Sequence, residues 1–177
     1  MSVTRPLTLA DAPALAALQR ADADHLGPWQ PRRPTLSTVD GQLASISALL
    51  DEHAAGRAAP FVIVDDDRVV GSITLATVIR GAFQSCSVGY ALAADAQGRG
   101  LATAALREAV AHAFDDLRLH RVQAETLVHN ERSRRVLDRV GFVQYGEAPD
   151  YLCIDGQWQT CALYQLLTPT PDRVRPV

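Results

Sequence analysis

Cysteine is scarce in this chain, and what there is does not pair: Cys86, Cys153 and Cys161 are odd in number and far apart, with no C-x-x-C among them. That spacing offers neither a disulfide framework nor a structural zinc site, and a reducing, cytoplasmic setting is expected. The histidines, His25, His53, His112, His120 and His129, show no H-x-x-x-H ligand spacing, so no metal is expected. An excess of positive charge is missing too: 17 Lys+Arg stand against 20 Asp+Glu, a formal net charge of −3. Without a basic field, nucleic acid is not an expected partner. No apolar run approaches the roughly 18 residues of a membrane span. Arg5 and Pro6 stand where a signal peptide would need its apolar core, so no membrane partner is expected either. Internal repeats and low-complexity segments are also absent.

What remains is a chain of 177 residues, 47% hydrophobic and 21% charged, which suits one globular domain with a sizeable core. That domain is expected over residues 1–168, with 169–177 as a proline-bearing tail, in a monomer or homodimer. Ser2 to Leu9 reads as a strand, followed by a helix that Asp11 caps, with Leu15 and Leu18 on one face. Gly27 to Pro34 holds three prolines and Trp29, a loop packed over something rather than a helix. A second helix starts at Ser37 or Thr38, buries Leu43, Ile46, Leu49 and Leu50, and ends at Gly56.

The middle of the chain is rich in β-branched residues. Phe61 to Val64 and Val69 to Val78, joined across Asp65 to Arg68, predict an antiparallel hairpin, and Cys86 to Leu92 predicts a further strand. A helix from Leu101 carries Leu106, Val110 and Phe114 on one face, and Arg121 to Val128 returns as a strand, so a parallel pairing is required somewhere. A short helix over Asn130 to Val140 is stopped by Gly141, and Phe142 to Tyr145, Tyr151 to Ile154 and Gln159 to Leu167 supply the last strands. The sum is a mixed α/β (α+β) architecture, a mostly antiparallel sheet with about four helices on it.

The stretch Gln97-Gly98-Arg99-Gly100-Leu101-Ala102-Thr103 lies between an apolar strand and an amphipathic helix. Gly98 and Gly100 let backbone N–H groups approach an oxyanion, Arg99 adds charge, and the new helix presents its positive N-terminus. The chemistry is that of a diphosphate cradle; the plainer reading is a glycine-rich strand-to-helix turn. Neighbouring nucleotide motifs fit worse. A Walker A needs Gly-Lys-Ser/Thr, and a dinucleotide fingerprint needs a third glycine where Thr103 stands.

Gln97, Gly100 and Ala102 match the Q/R-x-x-G-x-G/A pattern, and here the chain resembles the GNAT acetyltransferases. His129 to Ser133, followed by Val136-Leu137 and Gly141-Phe142, is similar to the N-x-x-S and G-F segment of the RimJ/RimL group. Val78 to Tyr90 and Asp150 to Trp158 extend the likeness over nearly the whole chain. The resemblance implies a central sheet of about seven strands with one parallel pair splayed at the acetyl-CoA site. It implies direct acetyl transfer from acetyl-CoA to the N-terminal α-amine of a protein or peptide, such as a ribosomal protein. Acetylation of a small amine such as an antibiotic or metabolite, and a non-catalytic acetyl-CoA sensor, are the alternatives.

Carried over residue by residue, the resemblance gives Tyr90, Ala91 and Leu92 as the strand along which pantetheine pairs, with Gln97 to Thr103 as the cradle. It gives Asn130 as a pantetheine contact and Ser133 as the hydroxyl near the CoA sulfur. Read from the residues alone, Asn130 is an N-cap and Ser133 an N3 residue. For a general base the chain offers Glu125, Glu147 and Asp150, with Asp150 placed first because related enzymes use a glutamate on the aligned segment. Glu125 points away from the face of Val122, Ala124 and Thr126. Trp29, Gln30, Arg80 and Cys86 are the expected acceptor-side residues. A nucleophilic role for Cys86 is disfavoured, because a mid-strand cysteine without an adjacent histidine is usually a small buried apolar residue. Where the group carries Trp-Glu-Pro and Trp-x-Asp-His, this chain has Trp29-Gln30-Pro31 and Trp158-Gln159-Thr160-Cys161. The lost carboxylates weaken attraction for a charged amine and open the acceptor to change.

Overall fold

Asp66 and Asp67 both adopt left-handed backbone, φ 46° and 64°, the two-residue turn whose twist matches a β-hairpin. Around it the computed structural model, which describes residues 2–169, builds the antiparallel pair β2 (Ala59–Asp65) and β3 (Arg68–Ile79). The remaining strands are β1 (Thr4–Pro6), β4 (Ser85–Leu92), β5 (Arg121–Leu127), β6 (Val143–Ile154) and β7 (Gln157–Leu167), in the spatial order β1-β2-β3-β4-β5-β7-β6. Every neighbouring pair is antiparallel except β4 with β5. The expected mixed sheet, its seven strands and its single parallel pair are all present.

Helices cover both faces. On one, α1 (Ala12–Ala21) and α3 (Val39–Ala54) bury Leu7, Leu15 and Ile46 over Val62. On the other, α4 (Leu101–Ala111) and α5 (Glu131–Val140) set Leu106, Ala109 and Leu137 against Ile73, Leu75, Val122 and Tyr164. A one-turn α2 (Ala23–Leu26) leads into the Gly27 to Pro34 segment, which forms short 3₁₀ turns rather than open loop. Thr38 caps α3, its hydroxyl accepting from the Gly41 N–H at 3.1 Å. Gly141, at φ 101°, ends α5.

Three expectations change. The first strand is only Thr4–Pro6, and Asp11 does not cap α1 with its side chain. Asp11 instead accepts from Arg5 at 2.6 and 3.0 Å and from the Thr8 N–H at 2.9 Å. The segments read as separate strands before and after Glu147 are one strand, β6, whose register against β7 shifts between Ala148 and Leu152. Of the tail expected over 169–177, all but Pro169 lies outside the described residues. No helix among the described residues is long and apolar enough to cross a membrane.

The N-terminal strand is tied to α4 through Glu108, whose carboxylate accepts from the Ser2 hydroxyl at 2.8 Å and from the Val3 and Thr4 N–H groups at 2.9 Å. Burial pushes this carboxyl up, but the hydrogen bonds outweigh it and hold it below its ordinary range. Arg5 does the same for Asp11. Groups depressed on folding contribute stability that is present above their unfolded pKa and lost as pH falls through the folded one. The melting temperature is therefore expected to drop on acidification below about pH 4, with a shallower drop in Glu108→Gln. Circular dichroism melts from neutral to acid pH check this; identical acid profiles for the two proteins would refute the Glu108 part.

Candidate functional site

The parallel pair is short. Only Ser85, Cys86 and Ser87 of β4 meet Arg121, Val122 and Gln123 of β5. Beyond Ser87 the two strands part, β4 still pairing with β3 as far as Leu92 and β5 with β7 as far as Leu127. One backbone edge of Val88 to Leu92 therefore faces a gap, which opens into a cleft of about 1500 Å³. Such an edge offers N–H and C=O groups to an extended ligand, as a neighbouring strand would.

At the end of β4 the chain turns into α4 through Gly98 and Gly100, at φ 75° and 81°, in the left-handed region that favours glycine. A Cβ at either position would meet nothing within 4 Å, so the protein leaves the space in front of them open. Gly100 occupies the N-cap without a side chain, and the N–H groups of Leu101 to Thr103 have no acceptor among the described residues. Backbone donors, a helix N-terminus and open volume fit a diphosphate. Gln97 is held on both sides: its Nε2 lies 2.6 Å from His25 Nε2, and its Oε1 accepts from Arg132 at 2.6 Å. Arg99, expected to add charge here, instead turns to the β2–β3 hairpin and forms a two-point ion pair with Asp65.

Across the gap, Asn130 caps α5 by accepting from the Ser133 N–H at 3.1 Å. The cap and the site coincide, since both side chains also line the cleft. Ser133 Oγ lies 2.9 Å from the Tyr90 hydroxyl. Burial pushes the Tyr90 phenol up to about 12, against the opposing pull of Ser133, so near neutral pH it keeps its proton. The family resemblance assigns Tyr90 only a backbone role; its hydroxyl contact with Ser133 is a feature of the fold that no sequence spacing encodes.

The acceptor side is framed by Trp29 and Gln30, with Glu125, Leu127, Tyr151 and Cys161 on the facing strands. Trp29 packs on Leu127, Ile154 and Cys161, its ring 5.7 Å from that of His129. Arg32 reaches Asp155 in the β6–β7 turn at 3.1 Å, an exposed ion pair at this end of the cleft. Glu125 is half-buried, and burial raises its pKa against smaller opposing contributions from a backbone hydrogen bond and Arg121. Asp150 stands elsewhere: it is exposed in the β6 bulge, at φ 49°, and does not line the cleft. Glu147 is exposed beside Gln144. Of the three carboxylates, Glu125 alone faces the cleft.

Arg80 and Cys86 do not belong to the acceptor wall. Arg80 is exposed and donates to the Leu117 carbonyl, and Cys86 is 2% exposed in the core, its thiol pushed up to about 12 mainly by burial. His25 and Arg132 are cleft residues the sequence did not single out, and Cys161, part of the departure at the acceptor side, lines the cleft with them. His25 and Gln97 are 72 positions apart, a pairing no local spacing encodes. Among the described residues no group of three or more His, Cys, Asp or Glu is placed to hold a metal.

Residues 3–143 match the acetyltransferase (GNAT) domain. The chain is 36% identical over 168 residues to the [ribosomal protein uS5]-alanine N-acetyltransferase of Escherichia coli, spanning 92% of this chain and 87% of that one. The structure of Mycobacterium smegmatis RimJ in complex with CoA-disulfide superposes with a TM-score of 0.90 at 36% identity, over 93% of this chain and 81% of that chain. The ribosomal-protein-S5-alanine acetyltransferase of Vibrio fischeri superposes with a TM-score of 0.91 at 30% identity, over 98% and 94%. With the split parallel pair, the glycine turn and these relatives in agreement, the chain belongs to the GNAT acetyltransferases, in the company of the RimJ-type enzymes.

Proposed function

We propose that residues 1–168 form one catalytic domain that transfers acetyl from acetyl-CoA to the α-amine at a protein N-terminus. Small ribosomal-subunit proteins are the natural acceptors to test first, given the names of the relatives. The observation that carries the reading is the gap between β4 and β5, with a diphosphate-shaped turn at one end and Ser133 and Glu125 on its walls. Bound there, acetyl-CoA supplies an activated acetyl thioester.

The chain's own residues have distinct tasks. Gly98 to Thr103 hold the diphosphate, and the free edge of Tyr90 to Leu92 aligns the pantetheine arm and presents N–H groups to developing negative charge. Glu125, with its proton affinity raised by burial, takes the proton from the incoming amine. Ser133, in contact with the Tyr90 hydroxyl, offers a proton towards the leaving sulfur. Trp29, packed on the apolar cluster there, limits water at the acceptor end.

One half-buried carboxylate is modest equipment, and that selects the acceptor. An α-amine has a pKa of about 7.7–8.0 against about 10.4 for lysine, a difference of roughly 3.4 kcal/mol in the cost of reaching the neutral nucleophile. Peptides with a small, free N-terminal residue are expected to be acetylated, with kcat/KM rising with pH and levelling near the α-amine pKa. Glu125→Gln is expected to lower kcat/KM about 10²-fold. Mass spectrometry locates the product; the chain contains no lysine, so any acetyl-lysine belongs to the acceptor. Modification confined to lysine side chains, or to non-peptide amines, overturns the acceptor assignment.

A further inference from the structure

Cross-strand partners share a face of a sheet, so Arg121, Gln123 and Glu125 of β5 stand beside Leu167, Gln165 and Leu163 of β7. This face is turned away from α4 and α5, which pack on Val122, Ala124 and Tyr164. Helices α1 and α3 lie elsewhere, over Val62. The next pair along, Leu127 with Cys161, is covered by Trp29, but among the described residues no helix packs on the rest. What shows there is apolar: Leu167, Val143, Tyr145 and Tyr151, with Phe83 from the turn before β4, are 44% to 64% exposed. So many large apolar side chains together mark a binding surface.

Its chemistry is set by Arg121. The guanidinium carbon lies 5.0 Å from the ring centroid of Tyr145 and 5.9 Å from that of Phe83, within cation–π range of both. Gln123 steadies the first ring by donating to the Tyr145 hydroxyl at 3.1 Å. Among the described residues no carboxylate pairs with Arg121, and its buried Nε has no hydrogen-bond partner. Of the six residues that face one another here on β5 and β7, Arg121 and Glu125 alone carry charge. They stand four residues apart on one strand, about 13 Å.

Given the α-amine reading, on which this step rests, an acceptor whose N-terminus reaches Glu125 must leave the cleft past one of its walls. The donor fills the gap beside β4 and Trp29 covers the Leu127 end, so the open route follows β5 back towards Arg121. We propose that this sheet face is the track for the acceptor residues behind the acetylated one, and that Arg121, between Phe83 and Tyr145, binds a carboxylate side chain there. An extended chain rises as a strand does, about 3.3 Å per residue, which brings the fourth or fifth residue of the acceptor over Arg121. The partner is a protein N-terminus with an acid at that place, and Glu125 repels an acid placed nearer the amine.

The test is a series of peptides about ten residues long, each starting with a free alanine and otherwise neutral, in which a single glutamate is moved from position 2 to position 8. Wild-type kcat/KM is expected to peak with glutamate at position 4 or 5, about tenfold above the neutral peptide and through KM rather than kcat, and to dip at position 2. Arg121→Gln is expected to level the peak. Arg121→Glu is expected to transfer the preference to peptides with lysine at the same position, a reversal that a damaged fold cannot imitate; far-UV circular dichroism and acetyl-CoA calorimetry check both variants. A flat wild-type series overturns the track, and self-association in sedimentation that Phe83→Ser abolishes then gives the face to a second copy of the chain. A peak that survives in Arg121→Gln overturns the assignment to Arg121. Acetylation of no peptide in the series removes the α-amine reading itself, and the track with it.

Discussion

In Gly100→Asp, acetyl-CoA affinity falls by about 10²-fold or more while the fold survives. A Cβ at this position meets no protein atom within 4 Å, so the first atom of a side chain does not clash with the packing. The backbone at φ 81° disfavours a side chain by about 1–2 kcal/mol, though aspartate is among the residues that tolerate this region best. The larger effect is charge. A carboxylate about 4 Å from a phosphate oxygen costs roughly 4 kcal/mol at the effective dielectric of a protein surface, close to a thousandfold in affinity. Gly100→Asn is the control, since it has nearly the same size and backbone tolerance without the charge. Calorimetry on both variants separates the two causes: a large loss confined to aspartate places an anion at the turn. Wild-type affinity in a folded Gly100→Asp protein removes the cradle.

Ser133→Ala is expected to lower kcat about 10²-fold, with acetyl-CoA affinity within about threefold of wild type. A serine hydroxyl has one proton and two lone pairs. The Tyr90 phenol, kept protonated by burial, can donate into one lone pair at 2.9 Å and leave the serine proton free to point into the cleft. Alanine removes that proton and keeps the helix start, because the Asn130 side chain bonds the backbone N–H of residue 133, not its hydroxyl. Tyr90→Phe separates the pair: the orienting donor is lost while the serine proton remains, so a smaller fall in kcat is expected. Single-turnover acetyl transfer with saturating peptide is the measurement. A kcat within about threefold of wild type for Ser133→Ala reduces Ser133 to the third residue of a capped helix.

These residues were legible in the sequence because their signals are local. Glycines at 98 and 100 between an apolar strand and an amphipathic helix state a backbone requirement in a few adjacent positions, and an Asn-x-x-Ser at a helix start is a cap that can be read directly. The turn across Asp65 to Arg68 was visible for the same reason, between two runs of β-branched residues, and the fold narrows it to Asp66 and Asp67. What depended on distant partners was not. Arg99 looks like a phosphate ligand until the hairpin brings Asp65 beside it. Asp11 looks like a helix cap until β1 brings Arg5 within 2.6 Å. β6 was read as two pieces because the run from Gly146 to Asp150 contains glycine, proline and acids, all depleted in strands. Long pairing with β7 overrides that composition, and the strand keeps the irregularity as a bulge. The same bulge turns Asp150 outward and leaves Glu125, on a regular strand, in the cleft.

The divergence of β4 from β5 also bears on how much of the fold the polypeptide completes by itself. Over Val88 to Leu92 the sheet has an edge in its interior, whose amide groups lack a neighbouring strand on the β5 side. A ligand lying along that edge does the work of a missing strand, so association and the last stage of structure formation share one free energy. Any molecule that binds only the folded state stabilises it by RT ln(1 + [L]/Kd), about 2.7 kcal/mol at a hundred times Kd. For a domain whose whole stability is of order 5–15 kcal/mol, that is a sizeable share. On the proposed placement of acetyl-CoA, added donor is therefore expected to raise the melting temperature of the chain in proportion to the logarithm of its concentration above Kd.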